Sequence, residues 1–205
     1  MPGVPTRFAR VALVGHAAGA DMAELLTRLA SFLSERGHDV VLEEETAQHT
    51  PLPGYGSAPA SALGARADLA IVVGGDGTML SIARRLAPLD VPLIGINRGR
   101  LGFLTDIPLV RMESALLDML AGRFVEDRRT LLEATIDRSE FPREQAVALN
   151  DVVINRGSLG TLIECAVEIE GRFAFAMRAD GIIVATPTGS TASSASGSRR
   201  KERAG

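Results

Sequence analysis

The run Leu69-Ala70-Ile71-Val72-Val73, followed at once by Gly74-Gly75-Asp76-Gly77-Thr78, constrains this chain more than any other stretch. Consecutive apolar residues without alternation are the pattern of a strand buried on both faces of a parallel sheet. The glycines that follow end the strand, permit positive φ, and let backbone N–H groups come close to a phosphate. A helix from about Thr78 to Leu86, with Met79, Ile82, Ala83 and Leu86 inward, adds N–H donors and a field that favours anions. Asp76 is the odd member, because a carboxylate repels phosphate. It is better suited to accept a proton or to hold a metal that neutralises one. Taken alone, the motif is also compatible with a tight strand-to-helix turn capped by Asp76.

Strands and helices alternate on either side of this turn. Arg10 to Val14 reads as a strand closed by Gly15, and Asp21 as the cap of a helix with Met22, Leu25, Leu26, Leu29, Phe32 and Leu33 at steps of three and four. Gly37 ends that helix and Asp39 to Leu42 is a second strand. The segment from Thr46 to Gly64, rich in Pro, Gly, Ser and Ala, reads as a mobile loop. Val91 to Ile96 is a further buried strand. Pro108 opens a helix with Met112, Ala115, Leu116, Met119 and Leu120 on one face, stopped by Gly122. Such alternation argues for an α/β doubly wound sheet, Rossmann-like, over residues 1–125.

After about Arg128 the period becomes two. Ile163, Cys165, Val167 and Ile169 alternate with polar or small residues, as do Phe173, Phe175 and Met177, and Glu170-Gly171 supplies a hairpin turn between them. Leu131 to Ile136, Val147 to Ile154 and Gly181 to Ala185 add strands. This second unit, residues 126–192, reads as an incomplete all-β sandwich with one wet face. Residues 193–205, Ser-rich and then basic, carry too little apolar surface to fold and are expected to be disordered.

Bulk properties exclude rather than assign. A formal net charge of −3 gives no electrostatic reason to expect nucleic acid or an anionic membrane as partner. No apolar run approaches the ~20 residues that span a bilayer, and residues 1–10 lack a secretory signal, so the cytoplasm is the default. The single cysteine, Cys165, excludes an internal disulfide and a multi-cysteine metal site. His16, His38 and His49 are isolated in sequence and read as surface or loop residues.

Two further segments carry chemistry. Asn150-Asp151 interrupts an apolar strand pattern, and polar residues inside a strand are costly unless paired, so they point to a site. A bulge or an exposed edge is the alternative. Asp180-Gly181 and then Thr186-Pro187-Thr188-Gly189-Ser190-Thr191 bracket an apolar strand with a hydroxyl- and glycine-rich loop. Such loops can contact sugars and phosphates, although most are turns.

Taken with Gly95-Ile96-Asn97-Arg98-Gly99-Arg100-Leu101-Gly102-Phe103-Leu104-Thr105, these segments resemble NAD kinases in order and spacing, over nearly the whole chain to Ala192. The Gly74–Thr78 motif is shared with lipid kinases and phosphofructokinases; the Leu101–Thr105 stretch and the last loop are far more diagnostic. The resemblance implies a Rossmann-like domain, a β-sandwich domain, and ATP-dependent phosphorylation of NAD. It assigns Asp76 as general base toward the 2′-hydroxyl of the adenosine ribose, with Gly77 approaching the ligand through its backbone. A divalent cation, Mg²⁺, would neutralise the triphosphate. It puts Asn150 and Asp151 on NAD, and Arg178 and Asp180 at the nicotinamide end. Thr161, Thr188, Thr191 and Ala192 would line the ligand, with Ser194 and Ser196 beyond them. Dimers or tetramers are implied as well. The alternatives are a non-catalytic NAD- and ATP-binding fragment and a lipid kinase sharing the glycine motif.

The departure from the family pattern begins at Ser193, which stands where the family carries Tyr. Strands expected beyond it have no counterpart in this sequence, which leaves edges unpaired. The expectation is a truncated kinase with weak or no activity and poor stability. An assay of the purified 205-residue chain for NADP⁺, paired with a thermal melt, checks this: full activity and a cooperative transition would overturn it.

Overall fold

The structure, a computed structural model, describes residues 8–16, 19–99, 102–157 and 161–190. It divides into two compact units, Met1–Glu126 and Asp127–Gly205.

The first unit is a parallel sheet wrapped by helices. In chain order it contains β1 (Arg10–Val14), α1 (Ala20–Ser34), β2 (Asp39–Glu43), α2 (Glu44–His49), β3 (Gly56–Ala58), α3 (Leu63–Arg66), β4 (Leu69–Gly74), α4 (Asp76–Leu86), β5 (Leu93–Asn97), β6 (Ile107–Pro108) and α5 (Met112–Leu120). The strands lie in the order β3-β2-β1-β4-β5-β6, every pair parallel. The chain winds outward from β1 to β3 and then returns to β4, so the winding reverses between β1 and β4.

The apolar run that opened the sequence reading is central, as its composition requires. Leu69, Ile71 and Val73 face one core with Val11 and Leu13, under Met22, Leu26 and Leu29 of α1 and Met112 and Leu116 of α5. Ala70 and Val72 face the other with Ala12 and Val14, under Leu63 of α3 and Met79, Ile82 and Leu86 of α4. A period of two along a strand gives each residue one face only, so a strand covered on both sides must be apolar throughout.

Several boundaries differ from expectation. Asp21 lies in the first turn of α1 and makes no cap; Gly19 is the N-cap, with φ 124°. Asp21 there still favours the helix N-terminus electrostatically. The segment 46–64 is not a bare loop. It holds α2, the edge strand β3 and α3, because Glu43 caps α2 by accepting from Thr46 N at 3.0 Å, while Leu52, Ala58, Ala60 and Leu63 bury small apolar side chains. Helix α4 begins at Asp76 rather than Thr78. Pro108 does not open α5: it pairs in β6 against Asn97, and a 3-10 turn, Leu109–Arg111, leads into the helix.

The second unit contains β7 (Leu132–Arg138), β8 (Phe141–Ala148), β9 (Asp151–Asn155), β10 (Ile163–Ile169), β11 (Arg172–Ala179) and β12 (Gly181–Ala185). They pair antiparallel as β7–β8, β9–β12 and β10–β11. The β10–β11 turn has both central residues at positive φ, Glu170 at 53° and Gly171 at 74°, the mirror-image turn whose twist suits a two-residue hairpin. The strand expected from Val147 to Ile154 is two strands, broken at Leu149-Asn150. The first half of β8 carries Pro142, Arg143, Glu144 and Gln145, which hid it in the sequence. Apolar side chains on these strands remain open: Phe173 is 67% exposed and Ile183 58%.

The contrast predicts a contrast in stability. Ile71→Ala should cost about 2–5 kcal/mol by opening a cavity in the core under α1 and α5, whereas Phe173→Ala should change stability by less than ~0.5 kcal/mol. Denaturant titration of the two variants measures this.

Candidate active site

At the end of β4 the chain turns through Gly74 and Gly75 into α4, with Asp76 as its first residue and Gly75 as the N-cap. None of the three glycines in this turn lies among the positive-φ residues, so left-handed backbone is not what they supply. Gly74 is required by contact, since a Cβ there would meet Thr78 Oγ1 at 2.7 Å. Gly75 and Gly77 face open space. Their role is clearance beside a helix N-terminus, at the carboxyl end of the strand where the winding reverses, which is the usual place for a ligand in such sheets.

Asp76 does not point into that clearance unheld. Its Oδ2 accepts from Phe103 N at 2.8 Å. Its Oδ1 accepts from Leu104 N at 3.0 Å, Thr105 N at 3.2 Å and Thr105 Oγ1 at 3.1 Å. Partial burial by itself raises the Asp76 carboxyl, but these hydrogen bonds outweigh it and hold the group below the ordinary carboxylate range. Behind the carboxylate, buried Asn97 donates from Nδ2 to Thr105 Oγ1 at 2.9 Å and accepts from Gly99 N at 2.7 Å. Two glycines make the approach possible. A Cβ on Gly102 would run into the Asp76 carboxylate, and one on Gly95 would meet Leu104 O and Thr105 Cγ2, each at 2.8 Å.

The expected NAD-side residues belong to the second unit, and the structure gathers some of them. Asn150 sits between β8 and β9, where its carbonyl accepts from Thr186 N at 2.8 Å. Thr186 Oγ1 donates to Leu149 O at 2.6 Å and accepts from Gly189 N at 3.1 Å. It thereby caps the single helical turn of residues 187–190 with Pro187 in first place. Gly189 packs so closely on the Asn150 backbone that no Cβ fits. Thr188 accepts from Arg129 Nη1 at 3.3 Å. The Asn150 side chain is left with its Oδ1 buried and unpartnered, the kind of group that a ligand donor satisfies. Asp151 opens β9 opposite Ala185.

Other expected residues stand apart from this cluster. Arg178 pairs with Glu164 across β10–β11 at 3.2 Å, and Asp180 with Arg156 at 3.1 Å, all on open surface. Thr161 is exposed just before β10. Thr191, Ala192, Ser194 and Ser196 lie outside the described residues, as do Arg100 and Leu101 of the diagnostic stretch.

Sequence reasoning missed how Asp76 is held. Thr105, Asn97 and Gly102 lie in the Gly95–Thr105 stretch, whose signal is a buried-strand pattern ending in Asn and followed by two closely spaced glycines. Two of the histidines lie outside helices and strands, as expected, yet have close partners. His38 is buried, its Nδ1 2.7 Å from Phe8 O. His16 Nε2 lies 3.6 Å from both Glu43 and Glu45, with ligand-type atoms of the three within 4.8 Å of one another. Arg85 already spans both carboxylates, at 3.2 Å and 3.0 Å. That charge, and a nitrogen ligand, do not suit Mg²⁺, which takes oxygen ligands in near-octahedral geometry.

Strand order, switch point and clearance above a helix N-terminus define the class: a doubly wound α/β protein of the nucleotide-binding kind. Residues 11–124 match the ATP-NAD kinase N-terminal domain and residues 149–199 the ATP-NAD kinase C-terminal domain. The chain belongs to the ATP-NAD kinase family. It is 50% identical to the NAD kinase of Cupriavidus pinatubonensis over 91% of this chain and 61% of that one. It is 51% identical to the NAD kinase of Burkholderia thailandensis over 91% and 62%. The chain therefore spans about three-fifths of the length of these relatives. Among solved structures, an NAD kinase from Archaeoglobus fulgidus in complex with ATP superposes with a TM-score of 0.60 at 28% identity, covering 89% of this chain and 62% of that one. Yeast NADH kinase complexed with NADH, at 23% identity, shares the fold with a TM-score of 0.78 over 96% and 65%.

The hydrogen bonds on Asp76 make a pH-dependent prediction. A carboxyl whose folded pKa is depressed stabilises the protein above its unfolded value, ~3.9, and that contribution is lost as pH falls through the folded value. The stability gap between wild type and Asp76→Asn should be widest near neutral pH and should narrow below about pH 4. Urea melts of both proteins from pH 7 down to pH 3 measure it.

Proposed function

We propose that this chain carries the catalytic part of an NAD kinase, the enzyme that moves the terminal phosphate of ATP to the 2′-hydroxyl of the adenosine ribose of NAD and releases NADP⁺ and ADP. The observation that carries the reading is Asp76, an ionised carboxylate oriented by neutral donors at the edge of a glycine-walled clearance. In this reading Asp76 is the general base, and the open backbone at Gly75 and Gly77 leaves room for phosphate and ribose to approach. The buried, unpartnered Oδ1 of Asn150 supports its role as acceptor toward NAD, with Asp151 beside it. Thr161, Thr188, Thr191, Ala192, Ser194 and Ser196 would contribute further contacts, and Arg178 and Asp180 would face the nicotinamide end.

Mg²⁺ would neutralise the charge of the triphosphate. Among the described residues the only His/Asp/Glu group at ligand spacing is occupied by Arg85, so the ion is expected to arrive on the ATP oxygens rather than in a protein cage. No helix among the described residues is long and apolar enough to cross a membrane. We place the protein in the cytoplasm and expect a homo-oligomer, a dimer or tetramer. The domain assignment that goes with this reading is 1–125 for the Rossmann-like part and 126–192 for the NAD-binding part.

A second reading is favoured by one observation. The same four hydrogen bonds that orient Asp76 also lower its proton affinity, which suits binding of nucleotide without turnover. Incubation with ATP, Mg²⁺ and NAD, followed by detection of NADP⁺, separates the two. Catalysis predicts that Asp76→Asn lowers kcat by about 10²–10⁴-fold with a smaller change in KM. Binding alone predicts NAD retention in equilibrium dialysis, no NADP⁺, and no phosphorylation of diacylglycerol in a parallel arm.

A further inference from the structure

The two oxygens of Asp76 are not equivalent. Among the described residues, Oδ1 accepts from three donors, Leu104 N, Thr105 N and Thr105 Oγ1, whereas Oδ2 accepts from Phe103 N alone. A carboxylate offers roughly four lone-pair sites, so Oδ1 is saturated and Oδ2 keeps a free one. The direction of the hydroxyl bond is dictated from behind. Asn97 Nδ2 can only donate, and it lies 2.9 Å from Thr105 Oγ1; the one hydroxyl proton of Thr105 is then left for Asp76 at 3.1 Å. Asn97 cannot reverse its amide, because its Oδ1 accepts from Gly99 N at 2.7 Å and a flip would set NH₂ against N–H. Thr105 is fully buried and Asn97 nearly so, at 5% exposure.

We propose that Asn97 is a positioning residue, acting through the Thr105 hydroxyl, which together with the Leu104 and Thr105 amides fills Oδ1 of Asp76 and so leaves Oδ2 as the oxygen that takes the substrate proton. The inference rests on the phosphoryl-transfer reading for the identity of that substrate. In the step, the O–H bond of the ribose 2′-hydroxyl breaks and its proton passes to Oδ2. The 2′ oxygen forms a bond to the terminal phosphorus as the bond from that phosphorus to the β–γ bridging oxygen breaks, its electron pair leaving with ADP. Asn97 touches neither reactant. It differs from a residue that merely stiffens the loop in one respect: among the described residues every donor on the carboxylate is neutral, so removing the hydroxyl changes how readily Asp76 holds a proton.

The test compares Thr105→Val, Thr105→Ser and Asn97→Ala with wild type by two readouts. One is the acid limb of kcat/KM against pH. The other is the ¹³C titration of the Asp76 carboxyl by NMR, assigned with Asp76→Asn. Loss of the hydroxyl or of its orienting amide should raise the Asp76 titration by about one pH unit, equivalent to a ~10-fold loss of kcat/KM at a fixed pH on the acid limb. Thr105→Ser should restore both readouts to wild-type values. If Thr105→Val and Thr105→Ser behave alike, or if kcat falls while neither titration moves, the positioning role is overturned. Should the wild-type chain make no NADP⁺, the phosphoryl-transfer reading fails. The NMR arm still decides the relay, since a shift with Val that Ser reverses supports it and an unmoved titration overturns it.

Discussion

A single carboxylate joins two strand ends that the chain reaches far apart. Asp76, at the start of α4, accepts hydrogen bonds from a segment beginning 27 residues later, at Phe103, so the exit of β4 and the return toward β6 are held as one surface. Each of these bonds goes to an ionised acceptor, the stronger kind, and a neutral side chain of the same size cannot reproduce all four. The Phe103–Thr105 segment carries no regular secondary structure of its own. Its order comes from Asp76 on one side and Asn97 on the other.

Glycine makes that arrangement sterically possible, and by close approach rather than by unusual backbone. Gly102 lies against the carboxylate and Gly95 against Leu104 and Thr105; a methyl group at either would push the segment away. Gly75 and Gly77 do the opposite, leaving space unfilled on the outer side of the turn. The first pair lets protein pack on protein, and the second keeps protein away from where a ligand would sit. The second unit repeats the idea at Gly189, which lets the hydroxyl-rich turn close over the Asn150 backbone.

Much of the fold was legible because it rests on local rules. An unbroken apolar run must be a doubly covered strand; apolar steps of three and four place Met79, Ile82, Ala83 and Leu86 on one face of α4; Glu170-Gly171 forms the turn its position suggested. What escaped notice rests on partners distant in sequence. The segment 46–64 looked like a loop because its stabilisation comes from Glu43 capping α2 and from small buried alanines, neither of which produces periodicity. The Asn150-Asp151 pair looked like polar residues inside one strand, whereas Asn150 marks the break between two, with Thr186 bonded to its carbonyl from 36 residues away. His16 looked isolated because Glu43 and Glu45 come to it from other elements.

By itself, the sequence determined the family and the α/β-then-β order of the chain, and it singled out Asp76 as the residue we propose carries the chemistry, because each follows from residue type at short spacing. Only the tertiary structure decided how that residue is held. The glycines of the turn serve clearance rather than positive φ, the two oxygens of Asp76 differ in their hydrogen bonds, and Asn97 and Thr105 stand behind it. Those properties depend on which donors meet which oxygen across 27 to 29 residues of chain. No local pattern encodes that geometry, and it exists only once β4, β5 and the Phe103–Thr105 segment are packed against one another.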